Sequence, residues 1–187
     1  MTRGEVVLIL GGARSGKSDL AQKLAAEGRQ RVLYVATATA GDAEMEYRIA
    51  RHRKERPPHW LLVEVRRNVA ERLSERISTG DVLILDCLTL LVANILFSSN
   101  LDPAQPGQTE QQVWGEIEGE LQELLCLVRE WDLRCLVVSN EVGSGIVPAH
   151  YPSRLYRDLL GRANQYVAQR ADRVYLMVAG IPLLIKG

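Results

Sequence analysis

Gly11-Gly-Ala-Arg-Ser-Gly-Lys-Ser18 fits G-x-x-x-x-G-K-[ST] in full, and few other short segments restrict a fold so tightly. It follows the apolar run Glu5-Val-Val-Leu-Ile-Leu10 and precedes a helix-compatible stretch over 18–27 that stops at Gly28. Strand, glycine loop and helix in that order read as a phosphate cradle. Glycines let successive backbone N–H groups converge on phosphate oxygens beside the positive end of a helix. Gly11, Gly12, Ala13, Arg14, Ser15 and Gly16 form the expected cradle, with Lys17 a point charge for the β- and γ-phosphates and Ser18 a hydroxyl ligand for Mg²⁺.

The rest of the chain alternates. Short apolar runs at 31–36, 61–65, 81–86 and 135–139 read as buried strands. Helical periodicity fills 88–97, 110–131 and 154–171, and 43–56 is helix-compatible up to Pro57-Pro58. Asn68 with Glu71 three residues on resembles a capping box opening a further helix toward Ile77. Two apolar runs, 174–178 and 183–185, hinged at Gly180-Ile-Pro182, predict a closing hairpin. The expectation is an α/β fold of the P-loop NTPase type: one domain over 1–187, a mostly parallel sheet flanked by helices, and a C-terminal β-hairpin. Asp86 ends one of these strands, where such folds place a second carboxylate of the Mg²⁺ shell.

Lys and Arg number 23, as do Asp and Glu, so no global field supports nucleic-acid binding. No apolar stretch approaches the roughly 20 residues that span a bilayer. The N-terminus enters its first strand within about five residues, too soon for a signal peptide. With three cysteines in no zinc spacing, the expected compartment is the cytoplasm.

One stretch resists the balance. Arg48-Ile-Ala-Arg-His-Arg-Lys-Glu-Arg56 crowds basic side chains around His52. A solvated helix face explains such runs in most proteins. The chemical reading is that helical spacing sets Arg48, His52 and Arg56 on one face. Nearby cations disfavour imidazolium unless Glu55 or Glu64 offsets them, which leaves a neutral nucleophile able to form a phosphoramidate. Both readings stand on these residues alone. His59 and His150 carry weaker claims.

The ordered segments Gly11–Ser18, Val-Ala-Thr-Ala38, Arg-Ile-Ala-Arg-His-Arg53 with Arg-Pro-Pro-His-Trp60, Asp-Cys-Leu-Thr89, Asn-Glu-Val-Gly-Ser-Gly-Ile-Val-Pro148 and Gly-Arg-Ala-Asn-Gln165 run nearly end to end. Together they resemble the bifunctional adenosylcobinamide kinase/adenosylcobinamide-phosphate guanylyltransferase family of cobalamin biosynthesis. The resemblance implies that His52 accepts GMP covalently. It places nucleotide contacts on Gly11 through Ser18, on Ala36, Thr37 and Ala38, on Arg53, Lys54, Glu55 and Arg56, and on the acidic Glu64 and Asp86. ATP and GTP as substrates, adenosylcobinamide and its phosphate as partners, and a homotrimer are implied likewise. The Asn140–Pro148 segment is expected to help hold the corrinoid side chain or the nucleotide. Rival readings are a small-molecule kinase without nucleotidyl transfer and a RecA-like NTPase switch module.

Overall fold

The computed structural model describes residues 4–38 and 57–187, so the expected helix over 43–56, with His52, Arg53, Lys54, Glu55 and Arg56, lies outside the described residues. In chain order the elements are β1 (Glu5–Gly11), α1 (Lys17–Ala26), β2 (Val32–Ala36), β3 (Leu61–Glu64), α2 (Val69–Ser74) and β4 (Val82–Asp86). They continue with α3 (Leu88–Ser98), α4 (Pro106–Glu130), β5 (Arg134–Asn140), α5 (Tyr151–Arg170), β6 (Arg173–Val178) and β7 (Ile181–Lys186).

Seven strands form one sheet in the order β3-β2-β4-β5-β1-β6-β7. Every pairing is parallel except β6 with β7. Buried on both faces, the central strands are continuous apolar runs rather than alternating ones: Val6 through Ile9 and Val82 through Leu85 are each at most 2% exposed. Alternation still sorts their side chains. Val7, Ile9, Tyr34, Ile84, Leu136 and Val138 pack with Ala21 and Leu24 of α1 on one face. Val6, Leu8, Leu33, Leu83 and Val137 face the larger cluster built with α2 to α5.

Three details depart from the sequence expectation. Asn68 does not cap α2 with its side chain; it stands at φ 58° and makes no side-chain cap bond. The buried carboxylate of Glu120, on α4, takes over, accepting from Asn68 N at 2.8 Å and Val69 N at 2.6 Å. A charge on orphan helix N–H groups satisfies them and complements the helix dipole, and only tertiary packing supplies it. Second, α4 begins at Pro106 instead of 110, because a proline loses nothing at the first helical position. Third, Ile181 and Pro182 belong to β7 and not to the hinge. The turn is Ala179-Gly180, with φ 50° and 83°, a two-residue geometry whose twist suits a hairpin. Pro182 is tolerated because β7 is the sheet edge.

Among the described residues no helix is long and apolar enough to cross a membrane. Burial pushes the Cys135 thiol up to about 12, and burial with the Asp86 charge does the same at Cys87, while Cys126 is exposed. Thiolates are the reacting species. Native protein at pH 8 is expected to take up iodoacetamide at Cys126 alone, and all three thiols to react after denaturation, as counted by mass spectrometry. Glu120→Ala is expected to destabilise the fold by about 2–3 kcal/mol in urea denaturation, and Glu120→Gln by less, since one acceptor survives.

Candidate functional site

The C-terminal ends of the parallel strands share one edge, the usual ligand-binding crevice of open α/β sheets. Register sets their last residues in a row, with Glu64 opposite Ala36, Ala36 opposite Asp86, and Gly11 opposite Asn140. Asp86 continues the alternation of Val82 and Ile84 and so lies on the α1 face, where the Tyr34 hydroxyl donates to it.

At the row's centre the chain leaves β1 through Gly11 and enters α1 at Lys17. Gly11 is compelled by space: a Cβ there would sit 2.7 Å from the carbonyl oxygen of Met177 on β6 and 2.6 Å from Ser15 Oγ. Gly16, the residue before the helix, has φ 90°, a left-handed angle costly for any side chain. No side chain caps α1, so its first N–H groups are left for another acceptor, such as an anion. Lys17 folds back over the loop, its Nζ donating to Gly12 O at 2.6 Å, and is only 8% exposed. Burial lowers its pKa, against the opposing pull of Cys87 and Asp86. A buried ammonium beside an uncapped helix start suits anionic oxygen, which would restore its solvation.

Thr37 proves to be a fastening. It is fully buried, and its Oγ1 donates to Cys87 O at 2.7 Å and accepts from Cys87 N at 2.8 Å. Its own N–H reaches Asp86 O, and its carbonyl accepts from Asn94 Nδ2 of α3 at 2.9 Å. The end of β2 is thereby bolted to the residue pair that carries the Asp86 carboxylate. Ala36 and Ala38 flank this bolt, half-buried. Glu64 stands two strands beyond Asp86 in sheet order, roughly 19 Å from Gly11 by strand spacing, and so cannot join the phosphate cradle directly.

The family described as "Cobinamide kinase / cobinamide phosphate guanyltransferase" matches residues 7–185. A bifunctional adenosylcobalamin biosynthesis protein of Pseudomonas aeruginosa is 44% identical over 180 residues, 96% of either chain. One from Escherichia coli is 39% identical and one from Salmonella typhimurium 37%, each over 97% of this chain and 99% of the relative. The chain belongs to this family.

Solved structures of low sequence identity share the fold of this chain. A RadB recombinase superposes with a TM-score of 0.51 at 15% identity, over 94% of this chain and 74% of its own. A type III secretion ATPase gives 0.55 at 13%, over 94% and 52%. The likeness is one of fold: a mostly parallel sheet flanked by helices.

The structure brings Gly11 through Ser18, Ala36 through Ala38 and Asp86 to one edge, with Glu64 at the far end of the row. His59 is exposed in the turn before β3, and His150 is exposed at the start of α5. Sequence reasoning assigned no role to Tyr34, Thr89, Asn94, Ser139 or Asn164, which brace the edge from behind. Their signal was faint: Thr89 and Asn164 fall inside the family-like segments, but only contact reveals what they hold. Thr37→Val, which keeps the shape and loses the hydroxyl, is expected to cost about 1–3 kcal/mol by leaving Cys87 N–H unpaired. Thr37→Ser is expected to restore most of that, read as the midpoint of thermal unfolding.

Proposed function

We propose that this protein phosphorylates adenosylcobinamide and then transfers GMP to the product through a covalent GMP-histidine. The observation that carries the reading is the buried ammonium of Lys17 over an uncapped helix start, on the same face and edge as Asp86. The cradle holds the triphosphate by backbone N–H groups, and Lys17 neutralises charge on the β- and γ-oxygens.

Residues fitting Mg²⁺ are Ser18 and Asp86, both oxygen donors. An ion held by so few protein oxygens would take its further ligands from phosphate and water. When bound, Mg²⁺ supplies charge neutralisation on the phosphates. Tyr34 and Thr37 orient the carboxylate that would hold it, one through its hydroxyl and the other through the neighbouring backbone.

In the first reaction the aminopropanol hydroxyl of adenosylcobinamide attacks the γ-phosphorus of ATP or GTP. The bond to the β–γ bridging oxygen breaks, and the hydroxyl proton passes to water. In the second, a nitrogen of neutral His52 attacks the α-phosphorus of GTP and expels pyrophosphate. A phosphate oxygen of the phosphorylated corrinoid then displaces the imidazole, giving adenosylcobinamide-GDP. Dividing the exchange between two displacements suits a chain with one evident cradle. Arg53, Lys54 and Arg56 are assigned to the nucleotide, with Glu55 beside them, and Glu64 to its part distant from the phosphates. The Asn140–Pro148 segment offers Ile146, 97% exposed, and Val147, 60% exposed, as an apolar bed for the corrinoid at the active edge. A homotrimer, by analogy with the family, is assigned as the working assembly, and the cytoplasm as the compartment.

The test uses Mg²⁺ and α-phosphate-labelled GTP. Acid-labile label is expected on wild type and not on His52→Ala; absence from wild type would remove the guanylyl carrier. A parallel γ-label assay with cobinamide tests the kinase half, and Lys17→Met is expected to abolish both signals, with a fall of about 100-fold or more in rate.

A further inference from the structure

Asn140 ends β5, between the strand of the cradle and the strand of Asp86. Both of its backbone groups are held by side chains. Its N–H donates to Thr89 Oγ1 at 2.7 Å, and its carbonyl accepts from Asn164 Nδ2 at 3.0 Å. Asn164 is 5% exposed and fixed in turn by the fully buried Ser139, whose hydroxyl donates to Asn164 Oδ1 at 2.6 Å. That orientation leaves the amide nitrogen of Asn164 no choice but to face Asn140. The next residue is tied to the cradle itself, Glu141 N to Gly11 O at 3.1 Å.

All this apparatus fixes the backbone of a single residue. Among the described residues the Asn140 carboxamide makes no hydrogen bond, although the residue is half-buried. Glu141 differs, since its carboxylate accepts from Gly143 N at 2.5 Å within the local turn. Alternation sets the direction. Ser139 points at α5, Leu136 and Val138 pack on the α1 side, and Asn140 therefore presents its side chain on the α1 face with Asp86 and the cradle. A half-buried amide with no partner inside the protein is free to bond a ligand in place of water.

We propose that Asn140 is a catalytic residue of phosphoryl transfer, its side-chain N–H donating to an oxygen of the terminal phosphoryl group held in the cradle. Thr89, Ser139 and Asn164 are its positioning residues. The inference rests on the reading of this protein as a phosphoryl-transfer enzyme and adds a donor to it. As the acceptor oxygen bonds to the γ-phosphorus and the β–γ bridge breaks, the equatorial oxygens keep their charge while the nucleoside diphosphate departs with the electron pair. Asn140 exchanges no proton; the acceptor hydroxyl's proton goes to water. A neutral amide suits the position, because a second carboxylate beside Asp86 would repel the oxygens it should bind.

The test needs no corrinoid. Affinities for ADP and GDP, each with Mg²⁺ and with or without aluminium fluoride as a mimic of the moving phosphoryl, are measured on wild type, Asn140→Ala and Asn140→Asp. Diphosphate affinity is expected to stay within about threefold, while the tightening given by aluminium fluoride falls by about 10- to 100-fold in Asn140→Ala and further in Asn140→Asp. A packing defect would weaken both ligands alike. Undiminished tightening in Asn140→Ala overturns the proposal, and so does a wild type in which aluminium fluoride adds nothing. Should Asn140→Ala fail to fold, by its thermal midpoint, the isosteric Asn140→Asp decides. Tightening in a wild type that does not phosphorylate cobinamide would sink the substrate assignment while leaving the contact in place.

Discussion

A phosphate cradle must keep its N–H groups free, and that requirement governs how its loop can be held. Backbone donors paired inside the protein cannot grip an anion, so the loop has to be fastened by its carbonyls and side chains instead. Here the fastenings are of that kind. Gly11 O accepts from Glu141 N, Gly12 O from Lys17 Nζ, Gly16 O from Leu20 N, and Ser15 O from Gly180 N in the hairpin turn. Two other regions of the chain, the end of β5 and the hairpin turn, therefore reach the loop through its carbonyls. Gly11 is needed because Met177 and Ser15 press this close, and Gly16 because its backbone is left-handed.

Asp86 is served by a comparable arrangement. The Tyr34 hydroxyl reaches its carboxylate, and the Thr37 hydroxyl clasps the backbone just after it. Thr37 then relays to Asn94, which also bonds Arg66 O. Ends of β2, β4 and the β3–α2 connection are thus gathered under one buried threonine. Such a polar cluster is stable because each member is satisfied; removing one leaves a donor in a place water does not reach.

Much of this protein was legible in order. The cradle, the alternation of strands and helices, the hairpin and Asp86 at a strand end follow from local pattern, since Gly, Lys and apolar periodicity each act within a few residues of themselves. Contacts across the chain were not legible. Glu120 caps a helix about fifty positions earlier in the sequence, and the apparent capping box at Asn68 misled because a local motif competes with any carboxylate that packing delivers. Thr37, expected as a nucleotide contact, bolts β2 to the Cys87 backbone in the fold; from a sequence, a hydroxyl facing a ligand and one facing a buried peptide are indistinguishable.

The sequence by itself determined what kind of ligand the protein grips and on what scaffold, because the cradle and its strand–helix frame are built from neighbouring residues. Tertiary structure alone decided which side chains stand beside that cradle. Strand order sets Asn140 between Gly11 and Asp86, and side-chain bonds from α3 and α5 hold its backbone at the strand end. The physical reason is reach. Periodicity and turn chemistry are short-range and written in adjacent letters, whereas the partner of a buried polar group is whichever residue the folded sheet brings within hydrogen-bond distance.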